Sequence, residues 1–312
     1  MPSMDQQLFL IIGASGAQGG AVARGLLRAG HRVRGLTRGR SERGTAALPD
    51  GVQPAVGDLA DADQLMVAFE GVTHVSVTLP MVFDADVVAS YVDNIAEAAA
   101  AAGVQRMVFN TGTGVPDTAT DVPAFETRRA AAAALQASGV ATVVLAPLVY
   151  LENLAAPWVA GPVVREGVLR YPLPAGLPVA WLSHDDLAAA TVAALTSDGV
   201  EGGTVRVGGP DVVTGAELAD EIGAVLGRDV TYVEQDVDEF ERGLAYAVGA
   251  DAAAGVASTY RWLATDDGAR SCGDWRGDAC SALVGKHAGI TLTPLHDWVR
   301  ARPWHGWAEV TV

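Results

Sequence analysis

The chain has 312 residues, half of them hydrophobic, enough to bury a sizeable core. Its 21 basic and 37 acidic residues give a net charge of −16, which argues against non-specific binding to nucleic acid or to an anionic membrane. Lys286 is the one lysine in the sequence, so chemistry that needs a lysine anywhere else is excluded.

The segment from Met1 to Gly13 has no basic leader and runs straight into Leu8-Phe9-Leu10-Ile11-Ile12, which reads as a first core strand rather than a signal peptide. Further strands are expected at Val33–Leu36, Gln53–Val56, His74–Thr78, Arg106–Asn110 and Thr142–Leu145. Helical patterns separate them at Gly19–Ala29, Ala62–Phe69, Val87–Ala102 and Pro123–Ala137; in the third, Val88, Tyr91, Val92 and Ile95 recur at helical spacing. Strand–helix alternation with right-handed crossovers predicts an α/β fold, a Rossmann-type doubly wound parallel sheet. After Pro147 the rhythm breaks, and residues 148–180 are rich in Pro and Gly. A helix follows at Asp185–Leu195, a strand at Thr204–Val207, and helices at Gly215–Leu226, Asp236–Ala247 and Thr293–Ala301; Asp266–Asp278 reads as a loop. The expected division is a dinucleotide-binding domain of residues 1–147 plus 181–208 and a smaller, mostly helical substrate lobe of 148–180 plus 209–312. No apolar run reaches the roughly 18 residues of a membrane helix. Two cysteines, Cys272 and Cys280, cannot make a secreted disulfide framework, so a reduced cytoplasmic setting is expected.

Strand one leads into Gly13-Ala14-Ser15-Gly16-Ala17-Gln18-Gly19, with glycines spaced G-x-x-G-x-x-G. One glycine makes a tight turn, one lets backbone approach a pyrophosphate, and one lets the helix pack close to the strand. The helix that follows offers free N–H groups and the positive end of its dipole to the phosphates. A strand before the motif and a helix after it are the context a dinucleotide site requires.

The second strand ends near Thr37-Arg38, where a free ribose 2′-hydroxyl would call for a carboxylate. None occurs between Val33 and Ser41; Arg38, Arg40 and Arg43 stand there instead and suit the 2′-phosphate of NADP, the other reading being a solvated basic loop. Asp58, in Gly57-Asp58-Leu59, either accepts a hydrogen bond from an adenine amino group or caps the helix near Ala62. Thr78-Leu79-Pro80 and Asn110-Thr111-Gly112-Thr113 sit at the carboxyl ends of strands, where open parallel sheets bind ligands.

Together with Leu135-x-x-Ser138-Gly139, Thr142 to Pro147, Tyr150-Leu151-Glu152-Asn153-Leu154 and His184-Asp185-Asp186-Leu187-Ala188, these residues resemble the NmrA-like branch of the atypical short-chain dehydrogenases/reductases. The resemblance spans most of the chain. It implies an NADP cofactor held by the residues already named together with Pro147, Tyr150 and Asn153. Members of the family include reductases of quinones, alkenes and dyes, and NADP-sensing regulators without turnover. The superfamily's Tyr-x-x-x-Lys dyad aligns with Ala124 and Arg128. Arginine can hold a ribose and supply charge but is a poor proton relay, so Arg128 is expected to place the cofactor. The other reading of Arg128 is an exposed charge beside Arg129.

Thr113 could polarise a substrate carbonyl, and Tyr150 either lines the nicotinamide pocket or fills a loop. His184 could act near neutral pH or simply start a helix. No histidine falls at metal-ligand spacing, so no metal is expected. Cys272 and Cys280 read as inert thiols, a redox pair being the other reading, and Trp298, Trp304 and Trp307 as core packing against the C-terminal helix, a substrate-pocket cap or a subunit contact being the others. The function expected is an NADPH-dependent reductase delivering hydride to a quinone, an enone or a conjugated alkene without the dyad. A non-catalytic NADP(H)-sensing regulator with a protein partner, or a redox-neutral lyase or isomerase, stays open. The partners expected are a small-molecule substrate, no nucleic acid and no membrane, with a homodimer left open.

Overall fold

Leu8–Ile12 is apolar at every position because it forms a central strand covered on both faces. In the computed structural model, which describes residues 7–39, 48–200, 202–272 and 291–304, it is β1 of a seven-stranded sheet. The other strands are β2 (Arg32–Thr37), β3 (Gln53–Val56), β4 (His74–Thr78), β5 (Arg106–Asn110), β6 (Ala141–Pro147) and β10 (Gly203–Val207). Their order is β10-β6-β5-β4-β1-β2-β3, and every pairing is parallel. The chain therefore reverses its direction of travel across the sheet between β1 and β4, and the carboxyl ends on either side open a crevice.

Side chains alternate across the pleat. Phe9 and Ile11 join a core with helices α1 (Ala17–Arg28) and α6 (His184–Thr196), whereas Leu8, Leu10 and Ile12 join a second core under α2 (Ala62–Ala68), α3 (Ala85–Ala102) and α4 (Pro123–Ala137). Asp61 and Asp84 cap α2 and α3 by accepting from Gln64 N and Val87 N. Helix α1 begins after Gly16 with no side-chain cap and no acidic residue in its first turn.

The segment after β6 holds more regular structure than its Pro and Gly content suggests. It contains β7 (Val149–Tyr150), a 3-10 turn at Leu151–Ala155, α5 (Pro157–Glu166), β8 (Val168–Tyr171) and β9 (Val179–Leu182). β9 pairs with β7 and with β11 (Val212–Val213), not with the large sheet; β8 pairs with β12 (Thr231–Glu234). Helices α7 (Gly215–Leu226), α8 (Val237–Val248), α9 (Ala250–Leu263), α10 (Asp266–Cys272) and α11 (Leu295–Arg300) complete a third core that buries Trp298 and Trp304.

The expectation of a loop at Asp266–Asp278 is corrected: the chain is helical through Cys272, and 273–278 lie outside the described residues. The Thr265 hydroxyl accepts from Gly268 N at the helix start, and Gly268 packs so close that a Cβ there would lie 2.1 Å from Trp262 O. Helix α9 was not foreseen as an element, since Gly255 interrupts its apolar pattern. That glycine makes room for Phe83, whose ring would lie 1.9 Å from an added Cβ. Among the described residues no helix is long and apolar enough to cross a membrane.

His74 lies at the start of β4, 6% exposed and stacked on Phe9 with centroids 4.6 Å apart. Burial, with Arg106 and His31 nearby, lowers its pKa from 6.5 to about 4. Its folded pKa lies below the unfolded value, so the stability it contributes is present above the unfolded pKa and is lost as pH falls through this window. Comparing urea unfolding at neutral and at mildly acid pH, His74→Phe should abolish roughly 2 kcal/mol of the wild-type loss. An equal loss in both proteins would contradict this assignment.

Candidate functional site

The glycine loop is built as its spacing requires. Gly13 has φ +86°, a conformation that favours glycine, and its carbonyl accepts from Gly16 N at 2.9 Å. A Cβ on Gly19 would lie 2.3 Å from Gly13 O, so α1 sits directly against the loop. Ser15, Gly16 and Ala17 are exposed, and the uncapped first turn of α1 opens at the carboxyl end of the sheet. This cradle fits a dinucleotide pyrophosphate: there is room for backbone approach and there is a positive helix end.

A cavity of about 450 Å³ continues from this crevice into the third core. From the sheet side, Gln18, Thr78, Leu79, Asn110, Thr111, Gly112 and Thr113 reach it, with Ala17 at the start of α1. From α4 come Ala124 and Arg128, and from the crossover Tyr150 and Asn153. Half of the expected site residues are thus brought to this cavity.

Others stand apart from the cavity. Thr37 ends β2, its carbonyl accepting from Gly57 N at 2.9 Å, and Arg38 follows it, exposed. Asp58 Oδ1 accepts from Ala60 N at 2.9 Å. Asp58 does not cap α2, since Asp61 does; that alternative is corrected. Leu59 packs on the core beneath the sheet, and its carbonyl accepts from Asn94 Nδ2 at 2.8 Å. Pro147 is buried at the end of β6, paired with Val207, and does not line the cavity. Arg40, Arg43, Trp275, Cys280, Lys286 and Trp307 lie outside the described residues.

Arg128 is 4% exposed, which overturns its reading as an exposed helix charge. Its two terminal nitrogens donate to Val82 O at 3.1 Å and Pro80 O at 2.7 Å, and its guanidinium carbon lies 5.2 Å from the Phe83 ring centroid. Burial lowers its pKa to about 10, and it remains a cation at neutral pH. It therefore holds the loop after β4, while Arg129, next along the helix, pairs with Glu126 at 3.0 Å.

Tyr150 both fills space and lines the cavity. Its hydroxyl lies 3.3 Å from Gln18 Oε1 and 3.3 Å from Asn110 Oδ1, and Asn110 Nδ2 donates to Gln18 Oε1 at 2.7 Å. Burial raises its pKa, so the phenol stays neutral. His184 opens α6 with its ring edge against Tyr150, centroids 4.9 Å apart, and burial lowers its pKa. His184 starts a helix, as one of its two readings expected, and its ring also reaches the cavity.

Glu152 has a role that its place in the motif did not announce. Its carboxylate accepts from His184 N at 3.0 Å and Trp298 Nε1 at 3.1 Å, and Arg302 stands 3.7 Å away. It ties the start of α6 to the C-terminal helix across the cavity floor. The far wall, with Trp158, Tyr171, Phe240, Leu244 and Tyr260, was also missed. Its one available signal was the apolar spacing of Val256, Tyr260 and Leu263, which reads equally well as ordinary core. Cys272 is buried in the same core, and burial pushes its thiol up to about 12, which suits an inert thiol. Among the described residues no cluster of His, Cys, Asp and Glu could hold a metal.

The sequence profile of the NmrA-like family matches residues 5–268. The chain belongs to the NmrA-like family. A relative described as an NAD(P)H azoreductase, from Xenophilus azovorans, is 31% identical over 240 residues, which is 76% of this chain and 80% of that one. A second, from Streptomyces griseus, is described as a (4-alkanoyl-5-oxo-2,5-dihydrofuran-3-yl)methyl phosphate reductase. It is 36% identical over 237 residues, 74% of this chain and 78% of that one. Among solved structures, the Citrobacter sp. triphenylmethane reductase complexed with NADP(H) superposes with a TM-score of 0.74 at 23% identity, covering 94% of this chain and 99% of that one. An NADPH-dependent quinone oxidoreductase from Escherichia coli gives 0.68 at 23% identity, covering 93% and 98%. These likenesses show a Rossmann-type α/β fold, as expected for this chain.

Proposed function

We propose that this NmrA-like protein is an NADPH-dependent reductase that delivers hydride to an activated small organic acceptor, a quinone, an enone or a conjugated alkene, without a Tyr-x-x-x-Lys dyad. The observation that carries the reading is the pair Ala124 and Arg128 on the cavity-facing side of α4. Ala124 has no acid, and two Arg128 nitrogens already donate to carbonyls. A simple ketone needs a proton as hydride arrives, whereas a conjugated acceptor can spread the charge first. The two relatives named as reductases support the reaction class, and one has a substrate name with oxo and alkanoyl groups on a dihydrofuran ring.

The bound nicotinamide would supply the hydride. The chain's own residues bind and orient. Gly13, Ser15, Gly16 and Gly19 with the α1 start would hold the pyrophosphate, and Arg38 and Arg43 the 2′-phosphate. Asp58 and Leu59 would flank the adenine. Thr78, Leu79, Pro80, Asn110, Thr111 and Gly112, with Tyr150 and Asn153, would line the way to the nicotinamide, and Thr113 would face the substrate. The apolar wall from the third core would exclude water.

Rapid mixing with NADPH and a panel of quinones, enones and simple ketones tests the reaction: turnover is expected with the conjugated acceptors. Turnover with simple ketones alone, or with none of the panel, would overturn it. For the cofactor, Arg38→Ala should weaken NADPH far more than NADH, by about 1–3 kcal/mol for a lost charged hydrogen bond, read by calorimetry. Equal weakening would remove Arg38 from the 2′-phosphate.

A further inference from the structure

A chain of three polar groups runs along the cavity wall opposite the glycine loop. Asn153 Nδ2 donates to the Tyr171 hydroxyl oxygen at 3.0 Å, and that oxygen lies 2.6 Å from the Tyr260 hydroxyl. All three residues line the cavity, and the two phenols are 2% and 7% exposed. They come from separate parts of the fold: Asn153 from the 3-10 turn, Tyr171 from the end of β8 and Tyr260 from α9.

The hydrogens can be counted. A phenol has one. Either phenol can donate across this contact; in the arrangement that runs outward from Asn153, Tyr171 accepts from the amide and turns its own hydrogen to Tyr260. The Tyr260 hydrogen then has no protein acceptor in the hydrogen bonds of the described residues, and its ring faces the cavity. Tyr150 is the contrast, because its hydroxyl stands between Gln18 Oε1 and Asn110 Oδ1, two acceptors that claim its hydrogen. The rings are held edge to face, Phe240 against Tyr260 at 5.1 Å and Trp181 against Tyr171 at 5.1 Å. Burial raises the pKa of both phenols, that of Tyr260 to about 12, so they act as neutral donors. Each hydrogen bond in such a relay polarises the next, which makes the terminal O–H a stronger donor.

We propose that Tyr260 is the hydrogen-bond and proton donor to the substrate oxygen that gathers charge during reduction, with Tyr171 and Asn153 as positioning residues that aim it. This inference rests on the reductase reading. When an enone is reduced, hydride from NADPH forms a C–H bond at the β carbon, and the cofactor is oxidised. The alkene electron pair moves to join the α and carbonyl carbons, and the carbonyl pair moves onto oxygen. The Tyr260 O–H bond then breaks, and its proton bonds to that oxygen to give an enol. Solvent water reprotonates Tyr260, and the enol becomes the ketone in water.

The test uses the full chain. Tyr260→Phe removes one hydroxyl and keeps the ring, so NADPH affinity should match wild type, while the thermal midpoint should fall because the buried Tyr171 hydroxyl loses its partner. Its kcat with a cyclic enone should fall about 10–100-fold, the effect of losing a hydrogen bond to a charged oxygen, with KM nearly unchanged. Tyr171→Phe should give a smaller loss of the same kind. An activity-free reading comes from titrating 4-nitrophenolate, an oxyanion probe, into the protein by absorbance: Tyr260→Phe should bind it about tenfold or more weakly. Equal kcat together with equal probe affinity would overturn the proposal. If wild type turns over neither quinones nor enones, the reductase reading fails, and the probe titration alone decides for or against Tyr260 as donor. Should Tyr260→Phe fail to fold, Tyr171→Phe carries the same titration, and unchanged affinity there overturns the relay.

Discussion

Gly19→Ala should weaken NADPH binding about 100-fold, with a loss of stability of about 1–3 kcal/mol, the range for overpacking a tight contact. The added carbon would lie 2.3 Å from Gly13 O, 2.6 Å from Gly13 C and 3.0 Å from Ala14 N. These are backbone atoms, so no flexible side chain can move aside. Either α1 backs away from β1 or the Gly13–Gly16 turn opens, and both changes displace the N–H groups that would meet the pyrophosphate. Fluorescence titration with NADPH reads the affinity and thermal unfolding the stability. Gly243→Ala is the control: an added Cβ on α8 meets nothing within 4 Å, so binding should not change. Unchanged NADPH affinity in Gly19→Ala would remove the glycine loop from the site.

Arg128→Leu should lower stability by about 3 kcal/mol and reduce turnover, because it strands the carbonyls of Pro80 and Val82 and removes the cation over Phe83. The loop after β4 forms one side of the cavity mouth through Leu79, Met81 and Phe83, so its loosening should raise KM for the acceptor as well. Arg128→Lys is the informative partner. It restores the residue type that the superfamily dyad carries, but a single ammonium cannot reproduce the two-pronged contact. Its thermal midpoint should fall between those of wild type and Arg128→Leu. Wild-type stability combined with faster turnover in Arg128→Lys would show a vacancy for a proton relay and refute the loop-holding role.

The Rossmann half was legible because its signals are local. Leu8–Ile12, the glycine spacing and the apolar repeat of Val88, Val92 and Ile95 each announce an element within a few residues. Strands β1, β3, β4 and β5 fall on the expected residues without shift. The glycine loop was legible for the same reason, since each glycine answers a steric demand within its own turn. The second lobe resisted because its elements are short and take their stability from distant partners. β7 has two residues and exists through pairing with β9. Helix α9 tolerates Gly255 because Phe83 fills the space beside it.

The acidic chain carries its one lysine at position 286, far along the sequence from the helix that would bear a dyad. The sequence alone therefore determined the fold class, the glycine loop between strand and helix and the lack of a Tyr-x-x-x-Lys pair, since residue identity and close spacing settle these. Only the tertiary structure decided that Arg128 is buried against the Pro80 and Val82 carbonyls, that Glu152 joins His184 to Trp298, and that Tyr171 meets Tyr260 across 89 positions of chain. Such contacts depend on how whole elements pack. A hydroxyl's hydrogen-bond partner is set by the neighbouring surface, and no local pattern in the chain encodes it.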